Sequence, residues 1–125
     1  MLEGERPLIR SDGTPVRDYL YVEDIAAGML LLTRAIAEHP ELAGEAFNFG
    51  GGERLSVMEV VGRILARMGA QLEPDVRNET SNEISEQRVG AEKAQRILGW
   101  EPLYSLDDGL GRTIAWYRDY LQVAS

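Results

Sequence analysis

The sequence contains no cysteine, a single histidine, His39, and a single lysine, Lys93. The lack of cysteine excludes disulfide bonds and thiolate metal sites, and it is compatible with the reducing cytoplasm, where we expect the protein to reside. One histidine, placed next to a proline, provides too little for a histidine triad or a histidine-based metal site. We therefore predict neither a bound metal nor histidine-based catalysis.

Long hydrophobic runs are also absent. None approaches the roughly 20 residues of a membrane-spanning helix, and the N-terminal stretch MLEGERPLIR lacks the apolar core of a signal peptide. Acidic residues outnumber basic ones by 21 to 13, which gives a net charge of −8. Because nucleic acids and anionic membranes bind extended basic patches, this charge argues against both as partners. An anionic ligand must therefore be bound by a few well-placed arginines.

The remaining composition is that of a folded protein. With 125 residues, of which 44% are hydrophobic and 27% charged, the chain is predicted to form one globular domain. Start and stop signals predict four helices. These are a helix that Asp24 caps and that ends near His39, a helix between the capping box at Ser56 and the stop at Gly69, a short helix over residues 91–98 before Gly99, and a final helix that Ser105 caps.

Short strands are predicted between the helices, at residues 7–10, 18–22, 46–49 and 72–76, and a polar loop is predicted at residues 78–86. The final helix is expected to bury one face, formed by Leu106, Leu110, Ile114, Tyr117 and Leu121. Because strands and helices alternate in short pieces, the predicted fold class is α/β of a mixed α+β kind, with no strong case for a complete doubly wound sheet.

Three consecutive glycines, Gly50 to Gly52, follow a predicted strand and precede a capped helix. Glycines in that context can bind a phosphate group. Their spacing, however, fits neither G-x-G-x-x-G nor G-x-x-x-x-G-K-S/T. A tight turn between strand and helix is therefore the favoured interpretation.

A charged pair interrupts the apolar stretch VRDYLYVEDIA, in which Arg17 precedes Asp18. Two roles fit Arg17 from these residues alone. Its planar guanidinium can donate to phosphate oxygens and stays charged when partly buried. It can equally form an ion pair with Asp18 or Asp24, which would orient the loop at the start of the helix.

Three segments together resemble one family: RSDGTPVRDYLYVEDIAAGMLLL, AFNFGGGERLSVMEVV and NEISEQRVGAEKAQRILGWEPLYSLDDGLGRTIAWY. From about Arg6 to Tyr120, the chain is similar to the C-terminal part of the extended short-chain dehydrogenases/reductases. Within that family, the nucleotide-sugar 4,6-dehydratases and epimerases are the most similar. The NEI-x-EQ and AEKAQRILGWEP segments look more like CDP-glucose or GDP-mannose 4,6-dehydratases than UDP-galactose 4-epimerases.

The resemblance implies that residues 1–125 form a single nucleotide-sugar-binding C-terminal domain, a fragment of a larger enzyme. The Rossmann half of that family carries the NAD(P) loop and the catalytic Tyr-x-x-x-Lys pair, and neither is present; Val89 stands four residues before Lys93. We expect the chain to be inactive alone and the full-length enzyme to be an NDP-hexose 4,6-dehydratase that uses NAD or NADP. The alternatives are an NDP-sugar 4-epimerase and a non-catalytic oligomerising scaffold module.

The same resemblance implies which arginines bind the substrate. Arg17 matches the arginine of the family motif R-D-Y/W-x-x-V-x-D, which commonly contacts the substrate diphosphate. Many relatives have a second phosphate-binding arginine at the position of Thr80. Here Arg77 and Arg88 flank that position, and either of them is a candidate substitute or a solvated surface residue.

Two further residues complete the predicted site. Glu83, in the NEI-x-EQ segment, is a candidate contact to the sugar or the base. Asn48, in the F-N-F-G strand end, is expected to satisfy backbone groups, although it also lies where the resemblance would have the nucleotide-binding half approach. No catalytic residue is predicted in this chain.

Removal of a Rossmann half would also expose apolar surface. In the family, the helix after V-E-D and the N-x-G strand pack onto that half, so its absence would uncover the second face of the helix over residues 24–36 and one edge of the strand at residues 46–49. Exposed apolar patches and free strand edges promote association. We therefore predict a homo-oligomer, a dimer or larger.

Overall fold

The structure, a computed structural model, describes residues 1–123. Within them the fold is mixed α/β, as predicted, with strands and helices in the order β1, β2, α1, β3, α2, β4, α3, α4. The strands are β1 (Leu8–Ile9), β2 (Val16–Tyr19), β3 (Glu53–Ser56) and β4 (Asp75–Val76). The helices are α1 (Val22–Glu38), α2 (Val57–Met68), α3 (Glu92–Leu98) and α4 (Leu106–Val123), and a 3₁₀ turn, Pro40–Leu42, follows α1.

The strands form two separate two-stranded sheets. Strands β1 and β4 are parallel, whereas β2 and β3 are antiparallel with Arg17 opposite Leu55. The first sheet is shorter than the strands predicted at residues 7–10 and 72–76. Pro74 has no N–H to donate, and the Arg6 guanidinium binds the carbonyl oxygens of residues 73 and 74, so the ladder begins only after them.

Strand β2 ends before the predicted strand at residues 18–22 does, because Val22 already begins α1 and Tyr21 is its N-cap. The prediction of Asp24 as the N-cap is therefore wrong. Asp24 lies in the first turn of α1 and is fully buried. Its Oδ1 accepts a hydrogen bond from Leu103 N at 2.7 Å. The carboxylate thus joins α1 to the connector before α4 instead of capping its own helix.

The prediction of a strand at residues 46–49 is wrong. No other backbone segment in the described part of the chain pairs with this segment. Side chains hold it instead: Phe47 and Phe49 pack against the core, and Lys93 Nζ donates to Ala46 O at 2.8 Å. Alternating apolar residues indicate which side chains face inward, but a strand also needs a neighbouring backbone.

The three glycines at positions 50–52 make a turn into a strand, so the predicted turn from strand to helix is wrong. Strand β3 begins at Glu53, directly after them, and its last residue, Ser56, then caps α2. Gly51 has a φ of 97°, which side chains disfavour. At Gly52 a Cβ atom would overlap the carbonyl oxygen of Tyr19, so this close approach of two backbones requires glycine.

The predicted helix boundaries at Ser56, Gly69, Gly99 and Ser105 are confirmed. In the capping box of α2, Ser56 Oγ accepts from Glu59 N at 3.2 Å, and the Glu59 carboxylate accepts from Ser56 N at 2.7 Å. Gly69 and Gly99 end α2 and α3 in the left-handed conformation. Ser105 Oγ likewise accepts from the backbone N–H three residues later, at 3.1 Å.

The buried face of α4 is narrower than predicted. Ile114 is buried, and Leu106, Leu110 and Leu121 are half-buried, but Tyr117 is 48% exposed. Burial of Tyr117 is therefore a wrong prediction. Its ring packs edge-to-face against the neighbouring, exposed ring of Trp116, with ring centroids 4.9 Å apart.

The hydrophobic core is centred on Trp100, which is 2% exposed. Its indole packs against the Phe49 ring, with centroids 5.0 Å apart, and its Nε1 donates to Gly50 O at 3.0 Å. Gly28 makes room for both rings, because a Cβ atom there would lie 2.9 Å from the Phe49 ring. Residues from α1, α3 and the connecting segments next to them complete this Trp100 cluster: Leu20, Leu31, Leu32, Ala35, Leu42, Phe47, Ala91, Ala94 and Leu98.

The predicted loop at residues 78–86 lacks regular structure but is anchored to β2. Val16 N donates to Ser85 O at 2.8 Å, and Gln87 N donates to Val16 O at 3.0 Å. These two hydrogen bonds hold the end of the loop beside Val16, the first residue of β2. Across residues 1–123, no helix is long and apolar enough to cross a membrane, and no cluster of His, Cys, Asp or Glu side chains is suited to a metal ion.

Candidate functional site

Arg17 is the best-fixed of the predicted site residues. It lies in the middle of β2, and its Nη1 donates to two backbone carbonyl oxygens, Val16 O at 2.9 Å and Ile84 O at 2.8 Å. Ile84 belongs to the loop that β2 anchors, so the guanidinium links the strand to that loop. Because both bonds go to the main chain, the position of the guanidinium does not depend on another flexible side chain.

Glu83 lies on the same loop and forms an ion pair with Arg17. Its Oε1 is 3.1 Å from Arg17 Nη2, and its Oε2 accepts from Thr80 Oγ1 at 3.0 Å. The sequence alternatives for the partner of Arg17, Asp18 and Asp24, are both wrong. The structure thus brings together two of the five predicted site residues, as partners of each other.

The guanidinium keeps unused donors. Arg17 has five N–H groups, of which two on Nη1 and one on Nη2 are engaged. The Nε–H and the second Nη2–H have no acceptor among residues 1–123. The side chain is 25% exposed, and that of Glu83 is 33% exposed. A partly buried, always charged fork with an open edge is suited to a phosphate or carboxylate group.

The neighbouring Tyr19 extends this side of β2. Residues two apart on a strand share a face, and Arg17 and Tyr19 are close enough for the arginine charge to act on the phenol. Burial raises the pKa of the Tyr19 hydroxyl, and the Arg17 charge opposes that shift. The phenol is therefore protonated at neutral pH and can serve as a hydrogen-bond donor.

Arg88 lies in a different place from Arg17. It lines a cavity of about 270 Å³ together with Asp18, which points to the opposite face of β2 from Arg17. Arg54, Glu92 and Gln95 also line that cavity. Arg88 Nη2 is 4.0 Å from Glu92 Oε1, so this arginine, which precedes α3, is weakly paired with the first residue of that helix.

Arg77 and Asn48 are also separate from the Arg17 fork. Arg77 follows β4 in the other sheet and is paired with Asp75 at 2.6 Å, and this hydrogen-bonded partner raises the pKa of the guanidinium. Asn48 is exposed on the unpaired segment between the two core phenylalanines. In this arrangement, neither residue shares a contact with Arg17.

Sequence reasoning missed the aromatic surface beside β2. A cavity of about 590 Å³ lies between α4 and the connection from β2 to α1, and it is lined by Tyr19, Tyr21, Trp116 and Tyr117 among others. Adjacent aromatic residues at positions 116 and 117 were the available signal, but only Tyr117 entered the prediction, as part of the buried face of α4. The role of Thr80 in holding Glu83 was also missed; their separation by three residues was the available signal.

Comparison with known proteins shows which enzymes the chain is similar to. Residues 1–50 match the model of the NAD dependent epimerase/dehydratase family. The chain is 29% identical over 122 residues to a UDP-glucose 4-epimerase of Mycolicibacterium smegmatis and 33% identical over 122 residues to a dTDP-glucose 4,6-dehydratase of Streptomyces griseus. Its relatives are nucleotide-sugar epimerases and dehydratases. These alignments cover 98% and 96% of the chain, but only 37% and 35% of the two relatives, so the chain spans little more than a third of their length.

Solved structures show the same relationship. The chain superimposes with a TM-score of 0.81 and 30% identity on a UDP-glucose 4-epimerase of Thermotoga maritima that was crystallised with UDP-glucose; 97% of this chain and 37% of that chain are covered. It superimposes with a TM-score of 0.76 and 29% identity on a dTDP-glucose 4,6-dehydratase of Bacillus anthracis in complex with NAD, covering 94% and 36%. The architecture of these 123 residues is therefore that of the corresponding third of such enzymes.

The described residues do not fit the NAD that the Bacillus anthracis dehydratase structure contains. A dinucleotide site places a glycine-rich turn between a strand and a helix N-terminus, so that the helix faces the pyrophosphate. Here the three glycines lead from an unpaired segment into β3, and no helix begins at them. The described glycines therefore do not form a dinucleotide-binding turn.

Proposed function

We propose that this chain is the nucleotide-sugar-binding portion of an NAD-dependent NDP-hexose 4,6-dehydratase and that Arg17 binds the substrate diphosphate. The observation that carries the proposal is the Arg17 fork, fixed by Val16 O and Ile84 O and open along its Nε edge. Two kinds of relative support it, since both the epimerases and the dehydratases act on sugars attached to a nucleotide diphosphate.

The physical role of Arg17 in this proposal is to orient the ligand. Two hydrogen bonds to the backbone preorganise the guanidinium, so little side-chain freedom is lost when phosphate binds. A diphosphate held far from the reacting sugar carbon supplies binding energy that fixes the sugar relative to the cofactor. In a chain with a net charge of −8, a preorganised arginine supplies the local positive charge that an anionic ligand needs.

The other predicted site residues have less structural support than Arg17. Glu83 is proposed to accept hydrogen bonds from sugar hydroxyl groups or from N–H groups of the base once it leaves Arg17, because its second oxygen already accepts from Thr80 Oγ1. Arg88 and Arg77 are proposed as secondary phosphate contacts, and Asn48 as a contact to the nucleotide-binding half. These three would act only if ligand binding or the rest of the enzyme brought them toward Arg17.

Hydride transfer and proton transfer are assigned to residues outside this chain. The 125 residues contain one lysine and no Tyr-x-x-x-Lys pair. We therefore propose that the isolated chain binds a nucleotide sugar but does not convert it. A location in the cytoplasm, a preference for CDP-glucose or GDP-mannose, and dehydration rather than 4-epimerisation stay predictions. Epimerases and dehydratases among the relatives are similarly alike to the chain, so a 4-epimerase is the main alternative.

Isothermal titration of the chain tests the proposal. The titrants are UDP-glucose, dTDP-glucose, CDP-glucose and GDP-mannose, and the variants are Arg17→Ala and, as a matched control, Arg63→Ala. Arg63 is also ion-paired and partly exposed, but on α2. We expect Arg17→Ala to weaken binding about tenfold or more, because a charge-assisted hydrogen bond contributes about 1.5–3 kcal/mol. Equal affinities for the parent and Arg17→Ala would contradict the proposal.

A second candidate function is that of an oligomerising scaffold, which the exposed apolar side chains of α1 favour. Met29 and Leu30 are largely exposed, and Leu103 is exposed beside them. Light scattering at micromolar concentration is expected to give the mass of a dimer or a larger oligomer. A monomeric mass would contradict oligomerisation, and oligomerisation without heat from any nucleotide sugar would favour the scaffold over the enzyme portion.

A further inference from the structure

We infer that the aromatic cavity between α4 and the connection from β2 to α1 binds an organic cation that carries a quaternary ammonium group. The cavity has a volume of about 590 Å³, which lies within the range of ligand pockets. This cation site is independent of the proposed function, because Arg17 and the diphosphate take no part in it.

Aromatic rings line the cavity from two sides. Tyr19 and Tyr21 line it from the end of β2 and the connection to α1, and Trp116 and Tyr117 line it from α4. Gly109 of α4 lies directly against Tyr21, because a Cβ atom at Gly109 would be 2.8 Å from Tyr21 Cβ. Glycine thus permits the close approach that brings both sets of rings to one cavity.

The two rings on α4 form a corner. The rings of Trp116 and Tyr117 are nearly perpendicular, with an interplanar angle of 88° and centroids 4.9 Å apart. Tyr120 stacks on Trp116 with centroids 5.2 Å apart, so the indole is supported by a second ring. Trp116 is 58% exposed and Tyr117 is 48% exposed, so a ligand can reach them. Aromatic faces attract a cation that lies within about 6 Å of the ring centroid, and tryptophan does so most strongly.

The charge of the lining also favours a cation. Among residues 1–123, Glu23 is the one charged residue that lines the cavity. Its carboxylate accepts a hydrogen bond from the Tyr21 hydroxyl at 3.2 Å, which places the negative charge beside an aromatic side chain. Burial and this carboxylate raise the pKa of the Tyr21 hydroxyl, and the charge of Arg112 opposes that shift less strongly. The negative charge therefore dominates at Tyr21.

Two arginines lie near the cavity without lining it. Arg112 packs over the ring of Tyr104, with its guanidinium carbon 4.5 Å from the ring centroid. Arg17 is close enough to Tyr19 to act on the pKa of its hydroxyl, but the ion pair with Glu83 offsets the arginine charge. Of these two cations, Arg112 is therefore the one whose removal should favour a positively charged ligand.

The apolar part of the lining indicates which cation fits. Leu20, Val22, Leu106 and Leu110 line the cavity together with the rings. A metal ion such as Ca²⁺ or Mg²⁺ requires about six or more oxygen ligands, which one carboxylate among apolar side chains does not provide. A quaternary ammonium group has no N–H that needs an acceptor, and its methyl groups gain from burial against apolar surface.

The test compares choline with dimethylbutanol, its neutral isostere in which a carbon atom replaces the nitrogen. Binding to the full chain is followed by NMR, because aromatic ring currents shift the methyl protons of a bound ligand upfield. Choline chloride replaces sodium chloride at constant ionic strength, so that screening does not change. We expect saturable choline binding with a Kd roughly in the millimolar range and binding of dimethylbutanol that is about fivefold weaker.

Four variants locate the site and separate its charge from its apolar surface. Trp116→Leu keeps an apolar side chain without a π face, and it should make the two affinities nearly equal. Glu23→Gln should weaken choline binding about threefold and leave dimethylbutanol unchanged, whereas Arg112→Gln should strengthen choline binding. The matched control is Glu38→Gln, since Glu38 is exposed at the other end of α1 and should affect neither ligand. Circular dichroism verifies that each variant is folded.

Three outcomes would overturn the inference. The first is equal affinity of the parent for choline and dimethylbutanol, since the cavity would then be an apolar groove without preference for charge. The second is choline binding that does not saturate or that Trp116→Leu retains in full. The third is an equal loss of choline affinity in Glu38→Gln and Glu23→Gln, because general charge would then explain the effect. Since no nucleotide sugar enters this experiment, its failure leaves the proposed function standing, and the reverse also holds.

Discussion

Trp100 and Arg17 both connect segments that are distant in sequence, but by different physical means. Trp100 is buried, its ring contacts Phe49, and its one donor is bonded to Gly50 O. Arg17 is partly exposed and keeps unused donors, and one of its three partners is a side chain that water or a ligand can replace. The Trp100 cluster therefore stabilises one conformation, whereas the Arg17 fork can exchange its partners.

This difference predicts where substitutions will act. A change in the Trp100 cluster should lower the free energy of unfolding, because packed apolar contacts have no substitute once removed. A change in the Arg17 fork should mainly alter binding, because exposed ion pairs contribute little to stability. The following predictions test this division, starting with the largest expected effect.

Trp100→Ala should give the largest loss of stability. Replacing a buried tryptophan by alanine costs about 3–5 kcal/mol, through lost burial and the cavity left behind. The matched control is Trp116→Ala, since Trp116 is 58% exposed and its loss should cost less than about 1 kcal/mol. Urea unfolding followed by circular dichroism measures both. Similar costs for the two variants would contradict the central position of Trp100.

Gly28→Ala should have an intermediate effect. Its Cβ atom would lie 2.9 Å from the Phe49 ring and 3.1 Å from the Trp100 ring, so one ring must shift, at a cost of about 1–3 kcal/mol. Gly62→Ala is the same substitution inside α2, where a Cβ atom would have no neighbour within 4 Å. Because alanine favours helix over glycine, that variant should be more stable by about 0.5–1 kcal/mol. Thermal unfolding should thus give shifts of opposite sign.

The smallest effect is expected at the ion pair between Lys93 and Glu45, on the edge of the Trp100 cluster. Lys93 Nζ donates to Glu45 at 2.6 Å and holds the segment before β3. This hydrogen bond and the lysine charge lower the pKa of the Glu45 carboxyl. Because the folded pKa lies below the unfolded one, the stabilisation is fully present above the unfolded pKa and is lost as the pH falls through the folded pKa.

The measurement is the difference in unfolding free energy between the parent and Glu45→Gln, at pH values from neutral to strongly acidic. The difference should be constant near neutrality and shrink in acid. In a Lys93→Gln background the pH dependence should largely vanish, because the group that lowers the pKa is gone. A difference that grows on acidification would show that folding raises the pKa of Glu45 instead of lowering it.

The sequence predicted those parts of the fold that depend on neighbouring residues. Caps at Ser56 and Ser105 and stops at Gly69 and Gly99 use hydrogen bonds within a few positions, and they are correct. The strand at residues 46–49 failed because pairing requires a second backbone, which an alternating pattern does not specify.

The site was predicted less completely, for the same reason. The family motif singled out Arg17, and the loop segment singled out Glu83, but their ion pair joins positions 66 residues apart. No local spacing predicts such a contact. Asp24 shows the converse case: its position suited an N-cap, yet its carboxylate is bonded to Leu103 N across the fold.

The placement of the two tryptophans also gives the molecule two separate optical reporters. Trp100 emits from a dry environment beside Phe49, and Trp116 emits from a wet one on α4. A Trp116→Phe variant would therefore fluoresce from the core alone, at shorter wavelength, and its red shift would follow core opening. Trp116 lines the cavity beside Tyr19. Its fluorescence, measured in the folded protein, would therefore report on ligand binding near that cavity.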